Sequence, residues 1–222
     1  MSAEKILPMT SQNQSEQDIL QQFVTAFRKA ETAVKKAENS VQFRPCETGR
    51  SFDVRGPFLP AINELRYAAC HIADYLENRD AISIQKAVSH CQRAEYDAYD
   101  CQIHFFLSEC RQFQDDYRTV VISSVIPDYI DITQKLSDIS LNPTTREQAT
   151  EQIINDKQRD TEELVSIYRR FQASRDELNK LVGQKVREGV RERESFRETI
   201  IAAIVGAVAG AVATFIISFF WR

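Results

Sequence analysis

From Glu16 to Val41 apolar side chains fall at Ile19, Leu20, Phe23, Phe27, Ala30, Val34, Ala37 and Val41. Steps of three and four residues put them on one face of a 3.6-residue turn, which predicts a long amphipathic first helix. The segment FRPCETGRSFDVRGP interrupts this rhythm with Pro45, Gly49, Gly56 and Pro57. A second helix is expected over Phe58 to Glu77, with Phe58, Ile62, Leu65, Ala69, Ile72 and Leu76 as its core face. A third, Ile82 to Asp115, is expected to bury Ile84, Ala87, Cys91, Ala94, Ala98, Cys101 and Phe105.

The run TVVISSVIPDYIDI is the one β-like passage. Helical spacing on both sides favours a fourth helix kinked at Pro127 over a strand. LNPTTREQ reads as a helix restart capped by Thr144 or Thr145. A charged segment, Arg146 to Glu198, then carries Leu164, Ile167, Phe171, Leu178 and Leu181 at roughly heptad spacing. Unbroken, it would reach about 80 Å, so part is expected to pack on the bundle and part to form a stalk, flexing at Gly183 and Gly189.

Thr199 to Trp221 contains no charge over 23 residues and ends in Phe219, Phe220 and Trp221. As a helix this spans about 35 Å against a hydrocarbon core of about 30 Å, which predicts a C-terminal membrane anchor resembling those of tail-anchored proteins. Lys185, Arg187, Arg191, Arg193 and Arg197 precede the run and only Arg222 follows it. This bias puts the N-terminal side in the cytoplasm, in a single-pass inner-membrane protein of bacterial type. Within the run Gly206 and Gly210 form a GxxxG in a small-residue stripe with Ala202, Thr214 and Ser218, a pattern that lets helices approach closely and predicts a homo-oligomer.

The expected fold is therefore all-α, a cytosolic antiparallel helical bundle whose long C-terminal stalk helix leads into one transmembrane helix. The expected divisions are a flexible N-terminus (1–15), the bundle (16–145), a charged coiled-coil-like stalk (146–198) and the anchor (199–221), whose partner is the lipid bilayer. With 28 Lys+Arg against 32 Asp+Glu, net charge −4, the chain has no general attraction for nucleic acid or anionic lipid, so such binding needs a local patch. Its five cysteines lack CxxC spacing and are expected to be buried, reduced thiols. No signal-peptide h-region is evident at the N-terminus.

Candidate chemistry centres on ELRYAACHI, Glu64 to Ile72. With the second helix's core face as above, His71 lies about 140° from its centre and Arg66 about 80° away, so the two do not share a face. Tyr67, His71 and Asp74, with Asn63 and Asn78, form an outward polar and aromatic stripe suited to an interface. On the third helix His90, Asp97 and His104 recur every seven residues, about 10.5 Å apart, too far for the outer histidines to share a metal. Asp97, Asp100, Cys101 and His104 could form half a metal site, but no second ligand cluster answers them. A buried network pairing Arg93 with Asp97 and Asp100 with His104 is the expected arrangement, with no metal and no cofactor. P-loop, GxGxxG, GxSxG and HExxH signatures do not occur.

Arg66, the four residues Tyr67, Ala68, Ala69 and Cys70, and then His71 resemble the R-x4-H motif of the HEPN superfamily of helical-bundle nucleases. Tyr67 stands where that family usually has a polar residue, and the motif lies early in the domain. The resemblance, over Glu16 to Asp138, implies metal-independent RNA cleavage at a dimer interface, with Arg66 and His71 as catalytic residues and RNA as substrate. It also implies an anti-phage defence or toxin setting. Two readings need no enzyme: an oligomerising, bilayer-perturbing or pore-forming effector, or a membrane scaffold for a partner protein encoded in the same operon.

Overall fold

A computed structural model describes residues 11–42, 59–140, 146 and 149–220, with 11–16, 41–42 and 206–220 described as backbone alone. Its elements are α1 (Ser11–Gln42), α2 (Leu59–Asn78), α3 (Ala81–Asp116), a 3-10 turn (Ile122–Ser124), α4 (Tyr129–Ser140) and α5 (Glu151–Phe220). The described residues contain no strand, so the protein is all-α. Two compact units divide the chain: Met1–Phe113 with Ile130–Phe171, and Gln114–Tyr129 with Gln172–Arg222.

The first unit is built on alanine. Ala30, Ala33 and Ala37 of α1, Ala61 and Ala68 of α2, and Ala87, Ala94 and Ala98 of α3 are all buried, with Cys91 and Ile154 among them. Side chains this small let helix axes approach closely, because axial separation is set by what stands between the backbones. Larger groups close the seam toward the other end. Phe113 and Phe171 stack at 4.1 Å between centroids, and Phe106 meets Tyr168 at 5.4 Å. Ile132 and Leu136 of α4 are buried here too, and Lys135 pairs with Glu163 at 2.5 Å.

This seam turns α2 away from its expected orientation. Ala61, Glu64, Ala68 and Tyr75 are buried, whereas Ile62 and Leu76, expected in the core, are 43% and 61% exposed. The buried face lies about a quarter-turn from the one that the large apolar residues suggest. Close helix contact placed Ala61 and Ala68 on the buried face in preference to Ile62 and Leu76, with Glu64 and Tyr75 on the same stripe.

Local chemistry sets the ends of α2 and α3. Arg79 takes a left-handed conformation, φ 58, as its N–H donates to the Tyr75 carbonyl at 2.7 Å, closing α2. Asp80 then caps α3, its Oδ1 accepting from the Ile82 N–H at 3.0 Å. At α5 the Thr150 hydroxyl accepts from the Ile153 N–H at 3.4 Å. The earlier caps expected at Thr144 and Thr145 lie outside the described residues.

In the second unit the β-like passage is neither a strand nor a helix kinked at Pro127. Residues 117–128 run through tight turns, with Val120 N–H donating to Tyr117 O and Val125 N–H to Ile122 O, and α4 starts only at Tyr129. Proline has no N–H to give to a continuing ladder, so the helix restarts beyond it. The passage's two isoleucines before Pro127 serve as packing groups instead: Ile122 and Ile126 are buried, as are Tyr117 and Leu178 of the same unit, while Val121 is exposed. The Tyr117 hydroxyl donates to Asn179 Oδ1 at 2.8 Å, Arg175 pairs with Asp116 at 3.3 Å, and the Lys185 ammonium donates to the Thr119 carbonyl.

Helix α5 passes through Gly183 and Gly189 without interruption, so neither breaks the segment. Among the described residues no helix is long and apolar enough to cross a membrane. Of the uncharged run, side chains are described only for Thr199 to Val205, all exposed; Gly206 and Gly210 lie on the α5 backbone, with their surroundings outside the described residues.

Candidate functional site

A charged residue on the alanine seam must bring its own partners, and Glu64 lies between Ala61 and Ala68 on the buried face of α2. Its side chain is 8% exposed. Opposite it α3 offers His90, Arg93 and Asp97, whose steps of three and four residues keep them on one stripe. Glu64 Oε2 accepts from His90 Nδ1 at 2.7 Å and from Arg93 Nε at 2.9 Å, while Oε1 accepts from an Arg146 guanidinium nitrogen. Burial alone would raise the Glu64 pKa, but the bonds from Arg93 and His90 and the charge of Arg146 outweigh it and hold the carboxyl below its usual range.

His90 Nδ1 also lies 2.9 Å from Arg93 Nη2. Arginine has only donors, so the nitrogen cannot accept there and donate to Glu64 at once. The shorter contact, to a carboxylate that the Arg93 and Arg146 guanidinium groups hold ionised, assigns the proton to Nδ1. The His90 Nε2 lone pair is then free to act on something else.

Asp97 contributes the opposite electrostatics. Its side chain is 10% exposed, and Oδ2 lies 3.0 Å from Arg146 Nη2. That contact is close enough for an ion pair, yet Oδ2 has no aligned hydrogen bond among the described residues. Burial pushes this carboxyl up to about 6, against the charge of Arg146, with Glu64 and Asp100 adding to the rise.

The ring of His90 connects this network to the surface. His71 stacks on it at 5.1 Å with 24° between planes, and Tyr67 meets it at 5.5 Å. The Arg66 guanidinium lies 5.3 Å from the Tyr67 ring centroid. His71 Nδ1 is 3.5 Å from Asp74 Oδ2 and, like Asp97 Oδ2, has no aligned hydrogen bond. Arg66 and His71 thus do not touch; a ladder of rings, Arg66 to Tyr67 to His90 to His71, joins them.

The expected outward placement of His71 is corrected by this packing, since it turns toward α3 and is partly buried. Tyr67 and Asp74 are exposed as expected. Arg93 bonds Glu64 rather than forming the expected pair with Asp97. Asp100 lies 3.6 Å from His104 and also pairs with Lys157 at 2.6 Å. Among the described residues no three His, Cys, Asp or Glu side chains are placed to hold a metal ion. Of the cysteines, Cys91 and Cys110 are buried and Cys101 is half-buried, but Cys70 is exposed, contrary to expectation; Cys46 lies outside the described residues.

Glu64, His90 and Arg146 were not singled out together by sequence. The available signal was a carboxylate at seam spacing between two alanines. Arg146, 82 positions away, gave none. No protein family, no curated protein and no solved structure matches the chain.

Proposed function

We propose that the stacked histidines His71 and His90, with Arg66 at their outer edge, form a metal-independent RNA-cleaving site on a membrane-tethered helical bundle. The observation that carries this reading is the pair of imidazoles in contact, each with Nδ1 turned toward a carboxylate, Glu64 at 2.7 Å and Asp74 at 3.5 Å. Imidazole is the side chain suited both to take and to give a proton near neutral pH. Cleavage by an adjacent 2′-hydroxyl needs both acts. One histidine removes the 2′-OH proton as the 2′-oxygen bonds phosphorus, and the other, protonated, gives a proton to the departing 5′-oxygen. The products are a 2′,3′-cyclic phosphate and a 5′-hydroxyl. Arg66, exposed beside Tyr67, stabilises the phosphorane charge.

The HEPN-like spacing of Arg66 and His71 supports RNA as the substrate class and a toxin or anti-phage setting. The uncharged run Thr199 to Trp221 supports the tether. The test uses the full chain in detergent, with single-stranded and structured RNA and a chelator present. Cleavage to cyclic-phosphate ends is expected, with His71→Ala and His90→Ala each reducing it about 100-fold or more and Arg66→Ala reducing it less. Absent cleavage, or cleavage indifferent to both histidines, sinks the reading.

A second reading, a non-enzymatic effector that oligomerises in the bilayer, is favoured by the small-residue stripe at Gly206 and Gly210. It expects expression to depolarise the membrane and Gly206→Leu with Gly210→Leu to prevent this. A double mutant that depolarises the membrane unchanged removes it.

A further inference from the structure

Within the first unit, α1, α3 and the first turn of α5 line a cleft of about 630 Å³ that shares no residue with the histidine ladder. A cleft of that volume suits a small molecule. Its charges are unbalanced. Asp18 and Lys29 come from α1, Glu95 from α3 and Glu151 from α5, so three carboxylates stand against one ammonium group. That ammonium group is committed to the rim, where Lys29 Nζ lies 3.3 Å from Glu151 Oε1 and both side chains are largely exposed. Glu95 is the least exposed of the four and has no hydrogen bond or ion pair among the described residues. Burial holds its carboxyl above the ordinary range against the charge of Lys29, with Glu151 adding to the rise. A half-buried carboxylate without a counter-ion is costly to ionise, so the cleft favours a ligand that brings a cation.

The remaining lining narrows the chemistry of that ligand. None of the lining residues is aromatic, so neither a nucleobase nor a quaternary ammonium group finds a ring to stack on. Among the described residues no three carboxylates are placed to hold a metal ion. Ala26, Val88 and Ile154 instead offer an apolar wall to a methylene chain, and the side-chain amides of Gln22 and Gln92 offer carbonyl oxygens that accept from an ammonium N–H. Three carboxylates against one lysine leave a formal charge of −2 on the lining, which two ammonium groups match. We propose that the cleft binds a linear aliphatic diamine or polyamine, with one ammonium group against Glu95, another toward Asp18 and the methylene chain between them. The site is independent of the RNA reading and needs no catalytic activity.

Full-length protein in non-ionic detergent, titrated calorimetrically with putrescine, is expected to show saturable binding to a single site. Butylamine, which has the same carbon chain and one ammonium group, is expected to bind about tenfold or more weakly. Glu95→Gln is expected to weaken putrescine binding about tenfold or more. Because Glu95 has no partner to lose, this variant is expected to keep its helical content, read by circular dichroism. Lys29→Met, which removes the cleft's own cation and keeps a stem of similar length, is expected to tighten binding. No saturable heat overturns the proposal, as does equal affinity for butylamine. Binding that Glu95→Gln leaves unchanged is general attraction to an acidic surface and overturns it too, and so does weakening by Lys29→Met.

Discussion

Glu64 and Arg146 are 82 positions apart and share a part-buried carboxylate–guanidinium bond. The same carboxylate also holds His90 and Arg93, so one side chain joins α2, α3 and the approach to α5. Removing it strands cations rather than one bond. Arg93 and Arg146 are 36% and 39% exposed, so water offsets part of the loss, and Glu64→Gln is expected to cost about 1–3 kcal/mol of unfolding free energy, read as a lowered urea midpoint. A loss near zero would show that the network is solvated rather than structural.

Asp97 sets a pH dependence of the opposite sign to a salt-bridged carboxylate. Its folded pKa of about 6 stands above the ordinary value of 3.8, so the folded state favours the protonated form. That contribution is full below pH 3.8 and is lost as pH rises through 6. Asp97→Asn is therefore expected to match or fall below the wild type near pH 4 and to gain up to about 3 kcal/mol relative to it by pH 7–8. Urea unfolding of both proteins across this range gives the difference directly; a gain that shrinks as pH rises contradicts it.

Gly183 and Gly189 lie inside α5 with nothing within 4 Å of where a Cβ would stand. Alanine enters open space at both, so each substitution is expected to raise helix stability by about 1 kcal/mol. Thermal unfolding followed by far-ultraviolet circular dichroism tests this. A decrease would mean that one of the glycines is needed for a bend.

The cysteines differ in availability as well as position. Burial pushes Cys91 and Cys110 up to about 12 and Cys101 to about 11, which leaves almost no thiolate at neutral pH. Cys70 is exposed. In a Cys46→Ser background, a thiol reagent is expected to titrate one fast group in the native protein, absent in Cys70→Ser, and the remaining three only in denaturant.

The helices were legible because their rhythm is local. Expected boundaries at Glu77 and Ile82 became Asn78 and Ala81, with Arg79 and Asp80 as the punctuation. The face of α2 was not legible. Periodicity weighs Ile62 and Leu76 heavily and alanine lightly, while close packing did the reverse. Val120 to Ile126 misled for a related reason, since the run resembles a strand by residue type, whereas here Ile122 and Ile126 are buried between turns and Val121 is 70% exposed. Arg66 and His71 could be picked out by type and spacing. Their link through Tyr67 and His90 depends on how α2 rolls against α3, and the hold on Glu64 depends on a residue far along the chain.

The alanine seam also decides how the first unit tolerates error. Most cores fail by losing volume, when a large side chain is trimmed and a void remains. Ala30, Ala33, Ala37, Ala61, Ala68, Ala87, Ala94 and Ala98 are fully or almost fully buried and leave nothing to trim; apart from glycine, every replacement is larger. Substitutions there act as wedges, driving neighbouring helices apart at about 1–3 kcal/mol each. Because the same helices carry Glu64, His71 and His90, a single added methyl group on the seam reaches the histidine pair as a change of distance.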